Sequence, residues 1–136
     1  MIQVQVVAPE QLYAIWDTIE PMLKASEESG PRDYSTEHQK MLIVSKLQTL
    51  LVAVEDDEIC GVAVMQLDNY PNHRVATIAS LGGKAVVSPE VFEQVVLWSK
   101  AQGATKIRAW AQEAQARLYR QKAGLNTTMY VVEKLI

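Results

Sequence analysis

The sequence has few of the residues that mark disulfide-rich, metal-binding or membrane proteins. Its 136 residues include a single cysteine, Cys60, and only two histidines, His38 and His73. One cysteine excludes an intramolecular disulfide framework, and these three residues have no spacing that suits a metal. No uninterrupted apolar run approaches the roughly 20 residues of a membrane helix, and the start MIQVQVV lacks the features of a signal peptide. We therefore expect a soluble protein with no metal and no membrane contact.

An excess of basic charge is also missing. The formal net charge is -3, and aromatic residues do not alternate with basic ones, so a nucleic-acid partner is not expected. The charges are divided unevenly, because residues 1–68 carry 12 acidic and 4 basic side chains whereas residues 69–136 carry 4 and 9. This division favours an anionic ligand or an acidic protein surface, including that of another copy, as the partner of the C-terminal half. Two solvated faces are the simpler alternative.

Hydrophobic periodicity indicates one mixed domain over residues 1–136. The apolar content of 49% fits a globular core. Alternation and short apolar runs mark the strands, and apolar residues three and four apart mark the helices. Three strands joined by short turns predict an antiparallel meander. The expected order is β-α-α-β-β-β-α-β-α-β, with strands at 2–7, 50–54, 59–67, 74–81, 106–110 and 127–135 and helices at 9–25, 35–47, 89–102 and 113–123.

Two segments carry a resemblance to a known family. The segment LLVAVEDDEICGVAVMQL resembles the second and third strands of the GNAT superfamily, the acyl-CoA-dependent N-acyltransferases. The segment ARLYRQKAGL is similar to the family's Ala-x-x-Phe/Tyr-Tyr-x-x-x-Gly-Phe region. The resemblance implies an α/β (α+β) fold with a central, mostly antiparallel sheet and helices on both faces. The stretch YPNHRVATIASLGG looks closest to the small GNAT-like proteins of tailed phages and prophages, some of which are virion or assembly components.

The resemblance implies an acetyl-CoA site directly after the strand at 74–81. The family holds the CoA pyrophosphate in this loop, so Gly82, Gly83 and Lys84 are the candidate cofactor-binding residues. Paired glycines before a helix let backbone N–H groups approach an anion. The sequence departs from the family's Gln/Arg-x-x-Gly-x-Gly/Ala signature, since no Arg or Gln precedes the adjacent glycines. A tight turn that needs a positive φ at Gly82 or Gly83 is the alternative.

The catalytic residues of the family are matched incompletely. The strand at 74–81 contains no carboxylate where the family places its general base. Tyr119 is the candidate for the tyrosine that protonates the leaving thiolate, but it lies five residues before Gly124 rather than four. A packing role is the alternative for Tyr119. Arg117 and Arg120 share a helix face, and they are candidates for binding the 3′-phosphate of CoA or an acidic partner.

These observations leave two main functions open. The first is a GNAT-fold protein of phage type, a virion, assembly or accessory component that acts through protein contacts, as an oligomer, with a degraded acyl-CoA site. The alternative is an active acetyl-CoA-dependent N-acetyltransferase on an unknown amine. A binding module that keeps the cleft without chemistry is a third hypothesis. The expected location is the cytoplasm of a bacterial host or the virion. A cleft between the strand ending at Leu81 and the strand at 106–110 favours the enzyme, and a filled gap there contradicts it.

Overall fold

The structure is a computed structural model that describes residues 1–86 and 88–136 of the chain. Within these residues the predicted order of elements is confirmed from the first strand to the last helix. The strands are β1 (Gln3–Val7), β2 (Thr49–Glu55), β3 (Glu58–Asn69), β4 (Arg74–Gly83) and β5 (Lys106–Ala109). The helices are α1 (Leu12–Ser29), α2 (Thr36–Val44), α3 (Pro89–Ala101) and α4 (Glu113–Ala123).

The strands form one mixed sheet in the order β1-β2-β3-β4-β5. The first four strands are antiparallel neighbours, which confirms the predicted meander, and β5 is parallel to β4. The acidic turn between β2 and β3 places Asp56 and Asp57 at positive φ values of 52° and 63°. Two successive positive φ values match the type I′ turn, whose twist suits a tight hairpin. The parallel step to β5 requires a crossover, and α3 provides it.

Hydrophobic side chains cover both faces of the sheet. Because successive strand residues point to opposite faces, β2 contributes Leu50 and Val52 to one core and Leu51 and Ala53 to the other. The first core contains α1 and α2, and the second contains α3 and the inner side of α4. Residues 61–65 of β3 are all buried, as expected for a strand that is covered on both faces. The predicted fold, a sheet with helices on both faces, is therefore confirmed.

Two of the described helices, α2 and α3, begin at a serine cap. Ser35 accepts a hydrogen bond from the backbone N–H of His38 at the start of α2, and Ser88 accepts one from Val91 at the start of α3. Such caps satisfy backbone donors that have no partner inside the helix. Pro89 takes the first position of α3, where its missing N–H costs nothing. None of the helices formed by residues 1–86 and 88–136 has the length and apolar character of a membrane span.

The structure differs from the prediction at the last element. The strand expected at 127–135 is not formed, and residues 126–136 are exposed throughout. The prediction was wrong because β propensity alone does not make a strand, which also needs a neighbour that supplies hydrogen bonds. Two smaller differences concern helix ends: α1 extends to Ser29, into the expected loop, and α2 ends at Val44 rather than near Leu47.

A bulge in β4 determines where the sheet opens. Val64 lies opposite Ser80 and Met65 lies opposite Ile78, so Ala79 is an extra residue in β4. A bulge bends its strand and increases the local twist. β5 pairs with β4 only as far as Ile78, the residue before the bulge. Beyond this point β4 continues without β5, which provides the separation that the enzyme hypothesis requires.

The two adjacent glycines are needed for close packing at the end of β4. A Cβ atom on Gly82 would lie 2.7 Å from the carbonyl oxygen of Met22 in α1. Gly83 has a φ of +64°, and a Cβ atom there would collide with the carbonyl oxygen of Cys60 in β3. The predicted positive φ is therefore confirmed at Gly83. Both glycines let a helix and a strand approach the backbone more closely than any side chain allows.

This packing predicts a large effect of Gly83→Ala on stability. Gly124 is a matched control, because it also has a positive φ (+71°), but a Cβ atom on it would have no atom of the described residues within 4 Å. Gly124→Ala should lower the free energy of unfolding only by the cost of a left-handed backbone conformation, about 1–2 kcal/mol. Gly83→Ala should cost about 1–3 kcal/mol more, because the methyl group must displace β3. Urea unfolding of both variants measures the difference, and equal losses would contradict this account of Gly83.

Candidate active-site cleft

A cleft of about 360 Å³ lies where β4 separates from β5. The residues after the bulge, Ala79 to Leu81, form one wall, and Arg108 and Trp110 at the end of β5 form the other. The cleft also extends to the α1–α2 loop and to the first half of α4. Gln115 of α4 donates a hydrogen bond to Ser29 of α1 across this opening, at 2.9 Å. Helices from opposite faces of the sheet therefore meet at the cleft.

Tyr119 lines the cleft. Its ring packs edge-on against Phe92 of α3, with the ring centroids 5.5 Å apart. Burial raises the pKa of Tyr119 to about 12, because the apolar surroundings disfavour the phenolate. The hydroxyl group therefore keeps its proton at neutral pH. Tyr119 lies five residues before Gly124, one more than in the family, and it still lines the cleft. It also packs against Phe92.

Asp68, near the end of β3, places a carboxylate in the cleft. Its two oxygens accept hydrogen bonds from Gln66 Nε2 at 3.0 Å and from Thr77 Oγ1 at 3.1 Å. The sequence analysis missed this residue because it sought a base on the strand at 74–81 and ended the preceding strand at 67. The sequence did carry a signal, because Asp68 is a lone acid directly after an apolar strand. It lies two residues after the polar Gln66, so both side chains belong to the same face of the sheet.

A buried chain of polar side chains leads to Asp68. Ser80 Oγ donates to Gln39 Oε1 at 3.0 Å, and Gln39 Nε2 donates to Gln48 Oε1 at 3.4 Å. Gln48 Nε2 donates to Gln66 Oε1 at 3.0 Å, and Gln66 then donates to Asp68. Gln39, Gln48 and Ser80 are all buried. We call this chain the glutamine network; every link runs in the same direction, so each amide orientation is determined by its neighbours.

Asp68 and Tyr119 reach the cleft from opposite faces of the sheet. Tyr119 packs against the core that contains α3. Asp68 lies two residues after Gln66, and the glutamine network joins Gln66 to Gln39 of α2, on the other face. The two residues therefore line one cleft from different faces of the sheet.

The α1–α2 end of the cleft holds a polar atom without a partner. Thr36 is 3% exposed, and its Oγ1 has no hydrogen-bond partner among the described residues. Its backbone N–H donates to Glu27 Oε1 at 2.7 Å, and both residues line the cleft. A buried hydroxyl without a partner costs roughly 1–3 kcal/mol. The Thr36 hydroxyl is therefore an enclosed polar atom at this end of the cleft for which the described residues supply no partner.

Aromatic side chains form the outer rim of the cleft. Tyr70 follows β3, and the guanidinium carbon of Arg108 lies 5.9 Å from its ring centre. Trp110 is 55% exposed and lines the cleft. The rim thus offers flat apolar surfaces beside a fixed positive charge.

The predicted cofactor-binding residues lie around the cleft rather than in its lining. Lys84 donates a hydrogen bond to Glu55 at 2.8 Å; this bond raises the pKa of Lys84 and lowers that of Glu55. Arg117 lies 3.9 Å from Glu113, and Arg120 donates to Thr127 at 2.9 Å. The side chains of Lys84 and Arg117 are exposed. These cations are therefore accessible to solvent at the surface.

The histidines and acidic residues form no metal site in the part of the chain that the structure describes. Within residues 1–86 and 88–136, no group of three His, Cys, Asp or Glu side chains could hold an ion. His38 Nδ1 accepts a hydrogen bond from the backbone N–H of Ser35 at the start of α2. His73 Nδ1 lies 2.9 Å from Thr105 Oγ1. Both histidines therefore have local structural contacts.

Comparison with known proteins identifies the fold. No protein-family model matches the sequence. No curated protein matches it either. A ribosomal-protein-alanine N-acetyltransferase from Brucella melitensis biovar Abortus 2308 superposes with a TM-score of 0.69 and 12% identity, over 98% of this chain and 99% of that one. An aminoglycoside acetyltransferase from an uncultured soil metagenomic sample superposes with a TM-score of 0.71 and 13% identity, over 99% of this chain and 96% of that one. A predicted acetyltransferase with acetyl-CoA from Clostridium acetobutylicum superposes with a TM-score of 0.67 and 13% identity, over 98% of this chain and 96% of that one. These likenesses confirm the GNAT-type fold.

The raised pKa of Tyr119 predicts a pH-dependent loss of stability. The unfolded chain releases this proton near pH 10 and the folded chain near pH 12, so the contribution is complete below pH 10 and is lost as the pH rises to 12. The wild type should lose about 2–3 kcal/mol more than Tyr119→Phe over this interval. Urea unfolding at pH 9.5 and 12 measures the difference. Tyr130→Phe, which changes an exposed tyrosine, should behave as the wild type does; a similar effect in both variants would contradict the assignment.

The glutamine network predicts that Gln48→Leu destabilises the fold. The change removes the partners of the buried Gln39 Nε2 and of the half-buried Gln66 Oε1, and a buried polar group without a partner costs about 1–3 kcal/mol. The expected loss in the free energy of unfolding is about 2–4 kcal/mol by urea titration. Gln121→Leu makes the same substitution at an exposed position of α4 and is therefore the control. Equal stability of the two variants would show that the network contributes no stability.

Proposed function

We propose that the protein is an N-acyltransferase that uses acetyl-CoA and an amine acceptor. The observation that carries this proposal is the cleft between β4 and β5, into which Asp68 and Tyr119 project from opposite faces. An acyl transfer needs a group that takes a proton from the amine and one that gives a proton to the thiolate. A carboxylate and a protonated phenol on the two sides of one opening meet both needs. The acetyltransferases with the same fold support the class of reaction.

The cleft fits the acyl end of acetyl-CoA better than the glycine pair fits its pyrophosphate. Beyond Ile78, β4 has no β5 neighbour, and the N–H of Leu81 donates to Ser26 Oγ, at 3.3 Å. Gly82 and Gly83 instead pack against α1 and β3. The proposal therefore assigns the thioester end to the cleft. It assigns the phosphates to the exposed cations, with Lys84 at the end of β4 and Arg117 and Arg120 on α4.

The residues of this chain then take distinct roles. When bound, acetyl-CoA supplies an acyl group on a thioester for transfer to an amine nitrogen. The Asp68 carboxylate accepts the proton that the acceptor's ammonium must lose before its nitrogen can attack. Tyr119, which is protonated at neutral pH, donates its hydroxyl proton to the leaving thiolate sulfur. The bond from the carbonyl carbon to sulfur breaks as the bond to nitrogen forms. The acylated nitrogen then gives its second proton to the Tyr119 phenolate, and Asp68 releases the proton that it accepted to solvent, so both groups return to their starting state.

The α1–α2 end of the cleft belongs to the acceptor in this proposal. The glutamine network holds Asp68 on this side, and Thr36 Oγ1 and the Glu27 carboxylate lie at the far end. An amine acceptor that carries a second polar group can bond to the Glu27 carboxylate while its reacting nitrogen lies near Asp68. Hydrogen bonds of this kind orient a substrate as well as hold it.

The second candidate function is a component that acts through protein contacts, of phage type and associated with a virion or its assembly. The packing of Gly82 and Gly83 and the pairing of Lys84 with Glu55 favour it over catalysis, because they leave no open phosphate loop. The cleft, its buried network and Tyr119 favour the enzyme, because a degraded site has no reason to keep them. The phage assignment stays a prediction from sequence resemblance.

An assay of thiol release tests the enzyme proposal. The purified protein is incubated with acetyl-CoA and a panel of amines, and free CoA is measured with a thiol reagent. Asp68→Asn and Tyr119→Phe should each lower kcat by about 10²–10⁴-fold, the usual contribution of a proton-transfer group. Both variants should still bind acetyl-CoA in calorimetry, because neither residue holds its phosphates.

The control is Glu37→Gln, which removes an exposed carboxylate in the first turn of α2, outside the cleft. This variant should retain the wild-type rate. Absence of both acetyl-CoA binding and thiol release in the wild type would refute the enzyme proposal and favour the protein-contact function. Release that is unchanged in Asp68→Asn would refute the assignment of the base alone.

A further inference from the structure

The cleft lining contains an arginine that has no anionic partner. Arg108 is half-buried at the end of β5, and its guanidinium carbon lies 5.9 Å from the ring centre of Tyr70. Within residues 1–86 and 88–136, no group forms a hydrogen bond or an ion pair with its side chain. The other arginine of the lining, Arg32, donates to the backbone oxygen of Glu28 at 3.1 Å. Arginine stays charged and carries five N–H donors, so Arg108 offers unused donors to a molecule in the cleft.

Arg108 and Asp68 lie on the same face of the sheet. Thr77 of β4 is opposite Gln66 of β3 and opposite Arg108 of β5, and residues directly opposite each other share a face. Asp68 lies two residues after Gln66 and therefore shares this face. Its carboxylate accepts hydrogen bonds from Gln66 and Thr77, and it forms no ion pair with Arg108. One face of the cleft thus presents a negative group and a positive group, on two strands that are separated only by β4.

We propose that the acceptor is a small amino acid, a molecule that carries a carboxylate as well as the reacting amine, and that Arg108 binds this carboxylate. The inference rests on the proposed function, in which Asp68 takes the proton of the amine. The planar guanidinium donates two parallel hydrogen bonds to the two oxygens of a carboxylate, which fixes the orientation of the acceptor as well as its position.

The surroundings of Arg108 suit an acceptor better than they suit the cofactor. In the proposed function the phosphates bind to Lys84, Arg117 and Arg120, and none of these three residues lines the cleft. Arg108 instead lies beside the aromatic rim, where Tyr70 contacts the guanidinium without accepting its hydrogen bonds. Aromatic side chains exclude water, and the attraction between opposite charges is stronger where water is excluded.

The two ends of the cleft select different groups of the acceptor. The Glu27 carboxylate at the α1–α2 end accepts hydrogen bonds, and one of its oxygens already accepts the N–H of Thr36 at 2.7 Å. Arg108 can only donate. A carboxylate on the acceptor therefore has one matching position in this part of the cleft, beside Arg108, whereas a second amine would be repelled there.

Matched pairs of acceptors test the proposal. Thiol release is measured with glycine, β-alanine and γ-aminobutyrate, each compared with its carboxamide, which keeps the amine and loses the negative charge. With at least one amino acid, the wild-type kcat/KM should be about 10–100-fold higher than with its amide, the usual gain from hydrogen bonds between charged groups. Arg108→Gln should reduce this ratio to about one, mainly through the KM of the amino acid. Ethylenediamine should be no better than the amides.

Two further variants and a binding measurement separate the role of Arg108 from general effects. Lys106→Gln removes an exposed cation from the same strand, outside the cleft lining, and should keep the wild-type ratio. Arg108→Lys retains the charge without the planar fork, so its ratio should lie between those of the wild type and Arg108→Gln. It also tests the proposal if circular dichroism shows that Arg108→Gln does not fold. Calorimetry should give the same affinity for acetyl-CoA in the wild type and in both Arg108 variants.

Several results would overturn the proposal while the acyltransferase function stands. These are equal kcat/KM for amino acids and amides, a preference for the diamine, and a preference for the amino acid that is unchanged in Arg108→Gln or Arg108→Lys. Weaker acetyl-CoA binding in the Arg108 variants would also overturn it, because Arg108 would then belong to the cofactor site. Absence of thiol release with every amine would refute the proposed function, and this inference with it.

Discussion

The extra residue in β4 is the constraint on which the candidate site depends. Without Ala79, the register of β3 and β4 would continue unchanged, and β5 could follow β4 to its end. The sheet would then be closed where the cleft now lies. The bulge costs ladder hydrogen bonds, and α1 supplies one replacement, since Ser26 Oγ accepts a hydrogen bond from the N–H of Leu81. A single inserted residue thus converts a continuous sheet into two walls.

The opening is stabilised by polar interactions that a closed sheet would not need. The glutamine network runs through buried positions, where each amide costs free energy unless it is paired. It joins α2, the residues before β2, and β3, so that Asp68 is held by side chains distributed over a large part of the chain. Gln39 is 2% exposed and Gln48 is 3% exposed. Residues of the same size but without amides would fill this space equally well, so the polar choice is best explained by the carboxylate at its end.

The sequence predicted the elements well and the site only in part. Periodicity located the strands and helices from β1 to α4, because these elements depend on local pattern. Tyr119 was found through a resemblance, whereas Asp68 was missed because its neighbours Gln66 and Thr77 are brought to it by strand register, which a single sequence does not reveal. The strand at 127–135 was predicted wrongly for a related reason. Its composition is that of a strand, but a segment becomes a strand only when its backbone pairs with a neighbouring strand.

β5 is a wall of the proposed active site and, among the described strands, also an edge of the sheet. Arg108 lies on this strand and lines the cleft beside Tyr70. A strand with one neighbour is more mobile than a strand with two, since half of its backbone groups are bonded to water. The bulge at Ala79 therefore opens the cleft against an edge strand, and the position of Arg108 depends on the pairing of β5 with β4.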